Sequence, residues 1–268
     1  MFEFTAGFLV PFMGGSTVTY ARELSSDEIT LNMQKTGTTV MVAVPLLFKI
    51  IYRGIRSEIA RMNPIKRGLV AVMRKIGLAW PGAGKKLFGQ VTKKFGGKTK
   101  FWASGGAPID REVIEGMASF GIEIVQGYGL SETSPVISVC PPGIYQPGSV
   151  GPPLSWAEVK IDPSQGGEGT ADVPGSGEIL VRGPCVMLGY HGNEEATREV
   201  MTEDGFLRTG DLGAMDSDGF LTILGRAKNL IVTEAGKNVH PEEIEETAAS
   251  SDFIADICVY GKRQPGSV

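Results

Sequence analysis

Lys100-Phe101-Trp102-Ala103 reads as an apolar strand, and Ser104-Gly105-Gly106-Ala107-Pro108 as the turn that ends it. Residues 110–120 read as a helix, with Asp110 placed to cap its start and Gly121 just past its end. Residues 122–126 are a second apolar strand, which runs into Gln126-Gly127-Tyr128-Gly129-Leu130-Ser131-Glu132-Thr133. Strand, helix and strand at this spacing form a β-α-β unit, which favours a parallel sheet covered by helices. Such sheets bind ligands at the carboxyl ends of their strands. The 104–106 turn and the 127–133 loop each follow a strand end, so they are expected side by side on one sheet edge.

Upstream, Ser25 and Ser26 precede Asp27 and Glu28, and the run ends at Gly37. Hydroxyl cap, acidic first turn and terminal glycine predict a helix over 26–36. Residues 38–44 are β-branched and apolar and read as a buried strand that Pro45 ends. Residues 46–73 read as helical with a break near Pro64, and the glycine-rich 80–99 as short helices and loops. Residues 1–13 are apolar but lack a basic leader segment and carry Glu3, so they read as a buried strand or helix rather than a signal peptide. Beyond Pro141-Pro142 the texture changes. Short apolar stretches at 158–161, 177–182 and 220–224 alternate with Gly, Pro, Asp and Ser, which predicts antiparallel strands and hairpins of the kind that can close as a small barrel. Segments 166–170 and 174–177 read as exposed turns. From Lys228 the pattern becomes strand, loop, helix (241–250) and strand (254–260).

The chain has 268 residues, 42% hydrophobic and 21% charged, enough to bury a real core. Three separated cysteines without C-x-x-C spacing argue against a disulfide framework or a zinc site and fit a reducing cytoplasm. With only His191 and His240, a histidine-built metal cluster is excluded. No apolar run is long enough for a membrane span. The net charge of −4 conceals an asymmetry: residues 53–100 hold thirteen Lys or Arg against one acid, Glu58. This stretch reads either as a solvated helical face or as a surface for anionic lipid or the phosphates of coenzyme A. Nucleic acid is disfavoured, because no interleaved aromatics or binding-module signature accompany the charge.

Two phosphate-loop decoys fail. Gly82-Ala83-Gly84-Lys85 would need Gly at Ala79 and Ser or Thr at Lys86, and Gly97-Lys98-Thr99 would need Gly at Thr92. No G-x-S-x-G elbow is present, so a hydrolase has little support. The 126–133 loop has better chemistry. Tyr128 between two glycines offers a flat ring with uncrowded backbone, suited to stacking on a base. Ser131 offers a hydroxyl to a phosphate oxygen, and Glu132 a hard oxygen ligand for Mg2+, which uses one or two carboxylates plus substrate phosphates. The alternative is a tight loop with a core tyrosine. In Arg208-Thr209-Gly210-Asp211-Leu212-Gly213, the Asp211 carboxylate could accept bonds from two adjacent ribose hydroxyls, although an isolated T-G-D is more often a turn. Arg226, in Gly225-Arg226-Ala227-Lys228-Asn229, is a fork of fixed donors for a ribose oxygen or phosphate.

These strings, together with Gly236-Lys237-Asn238-Val239-His240-Pro241-Glu242-Glu243-Ile244-Glu245, resemble in order and spacing the adenylate-forming (AMP-binding) superfamily. The likeness is greatest to long-chain fatty acyl-CoA synthetases, through residues 104–108, Gly148-Ser149-Val150-Gly151, Val186-Met187-Leu188-Gly189-Tyr190 and the basic helical stretch. The resemblance implies an α/β fold: part of a large N-terminal domain, with a parallel α/β layer and a small antiparallel barrel-like subdomain, and the start of a small α+β C-terminal domain. Residues 1–145 would be the α/β subdomain, incomplete at its start; 146–227 the β-rich subdomain; 228–268 the beginning of the C-terminal domain, after a hinge at Lys228.

The resemblance also implies residue roles. Gly105, Gly106 and Ala107 would border adenine and the acyl pocket. Gln126, Gly127, Tyr128 and Gly129 would border the nucleotide, with Tyr128 on adenine. Ser131, where the family usually has Thr, would contact the AMP phosphate, and Glu132 would serve Mg2+. Asp211 would hold the ribose, Arg226 would contact the nucleotide and Ile223 would pack on adenine. Glu132, Ser131 and Arg226 would contribute to catalysis. The implied reaction joins a fatty acid to coenzyme A at the expense of ATP, releasing AMP and pyrophosphate. The family's phosphate loop would lie upstream of Met1 and its catalytic lysine beyond Val268, so the chain alone is expected to form no acyl-adenylate. Two readings stand beside this one: a non-catalytic nucleotide- or membrane-surface-binding module, and an aryl or amino-acid adenylating enzyme of the same superfamily. A cytoplasmic location, with peripheral contact to an anionic membrane through 53–100, fits the first reading.

Overall fold

The computed structural model describes residues 2–23, 25–80, 82–144, 146, 148–165, 173–229, 231–232, 238–239, 241, 244–245, 248, 254 and 257–261. The chain divides into two compact units, residues 1–147 and 148–268.

The first unit is a mixed α/β layer. Its sheet has the order β1-β2-β3-β4, formed by Val40–Ala43, Phe101–Ser104, Ile124–Tyr128 and Ser138–Val139. β1 pairs parallel with β2 and β2 parallel with β3, while β4 returns antiparallel to β3. The predicted β-α-β unit is therefore present, with α7 (Arg111–Ser119) as its crossover. Asp110 does not cap α7 through its side chain. Its carboxylate instead meets Lys49 Nζ at 2.8 Å, which ties α3 (Pro45–Ala60) to the start of α7.

Local signals set most of the helices. Ser25 accepts a bond from the Glu28 N–H at the start of α2 (Ser26–Thr36), and Gly37 closes it in the left-handed region at φ 62°. Pro45 and Pro64 begin α3 and α4 (Pro64–Ala79), where a missing N–H is harmless. Short helices α5 (Ala83–Leu87) and α6 (Gly89–Lys94) follow, as the glycine spacing predicts.

Two burial expectations need correction. β1 is half-buried rather than buried, because it lies at the outer position of the described sheet. The N-terminal segment is helical, as a π-type run Glu3–Leu9 continuing into α1 (Val10–Met13), but it buries no residue. Its aromatic side chains contact each other instead, with Phe8 and Phe12 ring centroids 5.5 Å apart.

The core of this unit sets an aromatic centre among aliphatic side chains. Trp102 of β2 is fully buried, stacked on Phe48 at 5.7 Å and met edge-on by Phe95 at 5.1 Å. Phe88 meets Phe120 edge-on at 5.0 Å. Geometries of this kind contribute about 1 kcal/mol per pair beyond burial. Close helix crossings depend on glycine: a methyl at Gly77 of α4 would strike the Ser119 carbonyl of α7, and one at Gly116 would strike the Tyr52 ring.

The second unit is an antiparallel sheet of order β5-β6-β7-β8, formed by Glu158–Asp162, Gly177–Arg182, Leu207–Met215 and Leu221–Arg226. Ile179, Val181, Phe206, Leu207, Leu212 and Leu221 are its most deeply buried apolar side chains, and β6 is buried on both faces from Gly177 to Val181. Lys160 Nζ and the Arg182 guanidinium stand 4.0 Å and 4.5 Å from the Phe206 ring centroid. β7 is the longest strand among the described residues and α8 (Glu194–Val200) precedes it, capped by the Asn193 side chain; neither element was expected from the sequence. Past β8, β9 (Ile231–Val232) pairs antiparallel with β10 (Asn238–Val239). The described residues of 241–250 are helical, whereas Ile254 and residues 257–260 form no strand, contrary to expectation. Of the two expected exposed turns, 166–170 lies outside the described residues. The other is exposed at Pro174 and Gly175, but Ser176 and Gly177 are buried as β6 begins.

Candidate nucleotide-binding site

Two loops leave the carboxyl edge of the parallel sheet next to each other. Ser104, the last residue of β2, pairs in register with Gln126 of β3, so the 104–108 turn and the 127–133 loop are neighbours, as expected. Gly106 has φ 84° and open space at its Cβ position, so it is glycine for its conformation and not for crowding. Gly105 is buried, and a Cβ there would stand 2.8 Å from the Phe2 ring. Ala107 is exposed.

The second loop is fixed by its backbone. Gln126, Gly127 and Tyr128 end β3, and β4 holds them: the Ile137 N–H donates to the Tyr128 carbonyl and the Cys140 N–H to the Gln126 carbonyl, both at 2.8 Å. Gly129 passes so close to the returning chain that any side chain would collide with the Pro135 carbonyl. Ser131–Thr133 form a single 3-10 turn. Thr133 is fully buried and closes it: its hydroxyl accepts from the Leu130 N–H at 3.0 Å and reaches the Leu130 and Pro135 carbonyls at 3.0 and 3.3 Å. The side chains that carry the chemistry face outward. Ser131 is exposed, and Tyr128 and Glu132 are half-buried. Tyr128 is thus not a core tyrosine.

Asp211 and Arg226 lie in the second unit. The T-G-D string is not a turn; it sits inside β7 at an irregularity in the β6–β7 pairing. Gly210 has φ 70° there, and its N–H donates to Glu178 Oε1 at 3.1 Å. Glu178 is buried, and its other oxygen receives Arg208 Nη1 at 2.9 Å. Thr209 donates its hydroxyl to the Ile179 carbonyl at 2.7 Å and accepts the Asp211 N–H at 3.1 Å. These bonds fix the peptide that carries Asp211. Its carboxylate is buried and pairs with Arg226 Nε at 3.0 Å, across the β7–β8 register. The guanidinium itself is more than half exposed, so the pair joins one buried and one solvated partner. Ile223 is half-buried on β8, opposite Gly213. The backbone of Lys228 lies in the 3-10 turn Ala227–Asn229 directly after β8.

Sequence reasoning missed Glu178 and Thr133. A signal existed for Glu178: an acid inside the apolar run Gly177-Glu178-Ile179-Leu180-Val181, with Arg208 as the matching cation downstream. Thr133 carries no signal beyond its place in the loop string.

As to a metal, the described residues hold no group of three or more His, Cys, Asp or Glu able to cage an ion. The Glu132 carboxylate beside the exposed Ser131 hydroxyl on a tight turn suits Mg2+, which draws most of its ligands from water and substrate phosphates. Burial pushes the Cys140 and Cys185 thiols up, which makes both poor nucleophiles.

Outward aromatic, hydroxyl and carboxylate groups on one loop, at the carboxyl edge of a parallel sheet, define the fold and loop arrangement of an adenylate-forming enzyme. The chain belongs to the family of AMP-binding enzymes, whose profile matches residues 1–191. It is 36% identical over 234 residues to long chain acyl-CoA synthetase 6, peroxisomal, of Arabidopsis thaliana, covering 83% of this chain and 33% of that protein. It is 44% identical over 161 residues to probable 4-coumarate–CoA ligase 2 of Dictyostelium discoideum, covering 59% of this chain and 29% of that one. Among solved structures it is similar to O-succinylbenzoate coenzyme A synthetase from Bacillus subtilis in complex with ATP and magnesium ion, with a TM-score of 0.68 at 26% identity, covering 96% of this chain and 46% of that one. The chain spans about a third of the length of the curated relatives it matches.

Proposed function

We propose that this chain supplies nucleotide-binding residues of an ATP-dependent acyl-CoA ligase, and that the acid activated is a long-chain fatty acid. The observation that carries the reading is the outward placement of Tyr128, Ser131 and Glu132 on a backbone-locked loop beside the Gly105-Gly106 turn. The acid is chosen from the curated relatives named long-chain acyl-CoA synthetases.

A carboxylate resists attack because its charge is delocalised, and transfer to AMP gives it a good leaving group. In this reading Tyr128 stacks on adenine, with Gly105, Gly106, Ala107 and Gln126 along the base. Ser131 donates to a phosphate oxygen. Glu132 would hold Mg2+, which when bound neutralises phosphate charge. Asp211 accepts from the ribose hydroxyls, Arg226 donates to the nucleotide and Ile223 packs on the base. The protein's contribution is then orientation and fixed donors placed where charge develops. Lys228, just past β8, is the proposed hinge, with residues 228–268 beginning a separate C-terminal domain; hinges concentrate φ/ψ change in a few residues between rigid elements.

The test is calorimetric binding of AMP and of a non-hydrolysable acyl-adenylate analogue. Tyr128→Ala and Asp211→Ala are each expected to weaken binding roughly tenfold or more, the loss of one stacking or charge-assisted contact. Binding untouched by both substitutions would overturn the residue assignments. A second reading has its own support: the relative named 4-coumarate–CoA ligase shares higher identity over its shorter match, which favours an aryl acid. Profiling the complete protein against palmitate and coumarate separates the two.

A further inference from the structure

We propose that the exposed face of α4 is a docking surface for an anionic phospholipid membrane, independent of the nucleotide site. Ile65, Leu69, Val72 and Ile76 recur at spacings of four, three and four and therefore form one stripe along the helix. All four are exposed, Ile65 at 85% and Leu69 at 60%. Trp80, at the C-cap and 71% exposed, continues the stripe. This stripe is not the face by which α4 joins the fold. That role belongs to Val70 and Met73, which pack on the core, and to Gly77, which crosses α7. The neighbouring helix α3 shows the ordinary arrangement, with Leu47, Phe48, Ile51 and Tyr52 buried.

Charge selects the occupant. Lys66, Arg67 and Lys75 lie on the same helix and are exposed, as are Lys85 and Lys86 just beyond it. No carboxylate of a described residue lies within ion-pair distance of any of them. Glu58, the one acid of residues 53–100, is engaged by Lys94 at 2.8 Å. An aliphatic stripe bordered by uncompensated lysines, with a tryptophan at its end, has the chemistry of a helix lying in a lipid headgroup layer. Among the described residues no helix is long and apolar enough to cross a membrane, so α4 would lie along the surface.

The experiment is co-sedimentation of the 268-residue chain with vesicles of phosphatidylcholine containing phosphatidylserine, and with vesicles of phosphatidylcholine alone, at low salt. Retention is expected on the anionic vesicles only, with a blue shift in tryptophan emission that Trp80→Phe removes. The pair Leu69→Glu and Val72→Glu is expected to lower vesicle affinity roughly tenfold or more, because both side chains leave the lipid. Lys66→Gln and Lys75→Gln should each lower it about fivefold, and added salt should lower it further. The milder pair Leu69→Ala and Val72→Ala, with an unchanged circular dichroism spectrum, separates lost docking from lost folding. Three outcomes overturn the proposal. One is no retention on anionic vesicles. Another is retention unaffected by the stripe substitutions, which is adsorption by charge alone. The third is a chain dimer, seen by sedimentation equilibrium and abolished by those substitutions, which assigns the stripe to a second copy.

Discussion

The loop after β3 in the first unit is held by backbone pairing and one inward hydroxyl, that of Thr133, and its chemical side chains are accessible to solvent. The Thr209–Asp211 segment of the second unit is held by side chains, and its chemical carboxylate is buried. The loop carries its exposed Ser131 and half-exposed Tyr128 and Glu132 on a path that Gly129 and Thr133 make rigid. The strand keeps Asp211 in place through the side chains of buried Glu178 and Thr209. Tolerance to change should therefore differ. On the loop the backbone residues are critical for folding and the outward side chains are not. In β7 the polar side chains themselves hold the structure.

Gly129→Ala is the strongest way to break this contrast. The added methyl collides with the Pro135 carbonyl, and overpacking against backbone should cost the first unit about 3 kcal/mol. Thiol labelling reads the effect unit by unit, because Cys140 is buried at the end of β4 and Cys185 lies in the second unit. Cys140 should label faster in the variant while Cys185 keeps its rate, with exposed Cys258 reacting early in both. Equal acceleration of Cys140 and Cys185 would mean that the two regions open together and that the contrast is only geometric.

Glu178→Ala comes next. It strands the Gly210 N–H and leaves Arg208 only the longer contact to Asp162 at 3.8 Å, and should cost about 2 kcal/mol after allowing for the partial exposure of Arg208. Urea denaturation measures this loss. The variant should also weaken AMP binding although Glu178 is assigned no contact with ligand, whereas Glu178→Gln should retain part of both. Thr133→Val is the smallest step. It keeps the shape and removes the hydroxyl that closes the 3-10 turn, for about 1.5 kcal/mol, while Thr133→Ser should retain most of the stability. If Thr133→Val and Ser131→Ala proved equally destabilising, the division between inward fixing and outward chemistry would fail.

The same contrast explains what the sequence made legible. The first unit announces itself through local signals: Ser25 and Gly37 bracket α2, Pro45 and Pro64 open helices, and glycines punctuate the strand ends. The loop string was legible because its chemical residues are contiguous. β7 was obscured because Gly210 and Asp211 are poor strand residues, and they are tolerated only at an irregular pairing that Glu178 and Thr209 stabilise from other positions. The acid of Glu178 within its apolar run was a signal, but the sequence does not say that its partner is the Gly210 N–H, 32 positions away. Burial was misjudged at β1 and at the N-terminal helix for a related reason: apolar composition reports what could be covered, and the covering elements are a matter of tertiary arrangement. The basic stretch was visible as charge, but the apolar stripe beside it emerged only once Val70, Met73 and Gly77 were seen to occupy the inner face of α4.

The parallel pairing of β1 with β2 has a kinetic consequence. Val40 must find Phe101 across a stretch that holds α3, α4, α5 and α6, whereas β6, β7 and β8 pair with neighbours close in the chain. Closing a longer loop loses more chain entropy before any contact rewards it. The antiparallel sheet is therefore expected to assemble ahead of the β1–β2 pairing, which leaves the edge of β2 an open template for as long as the helices between them take to condense.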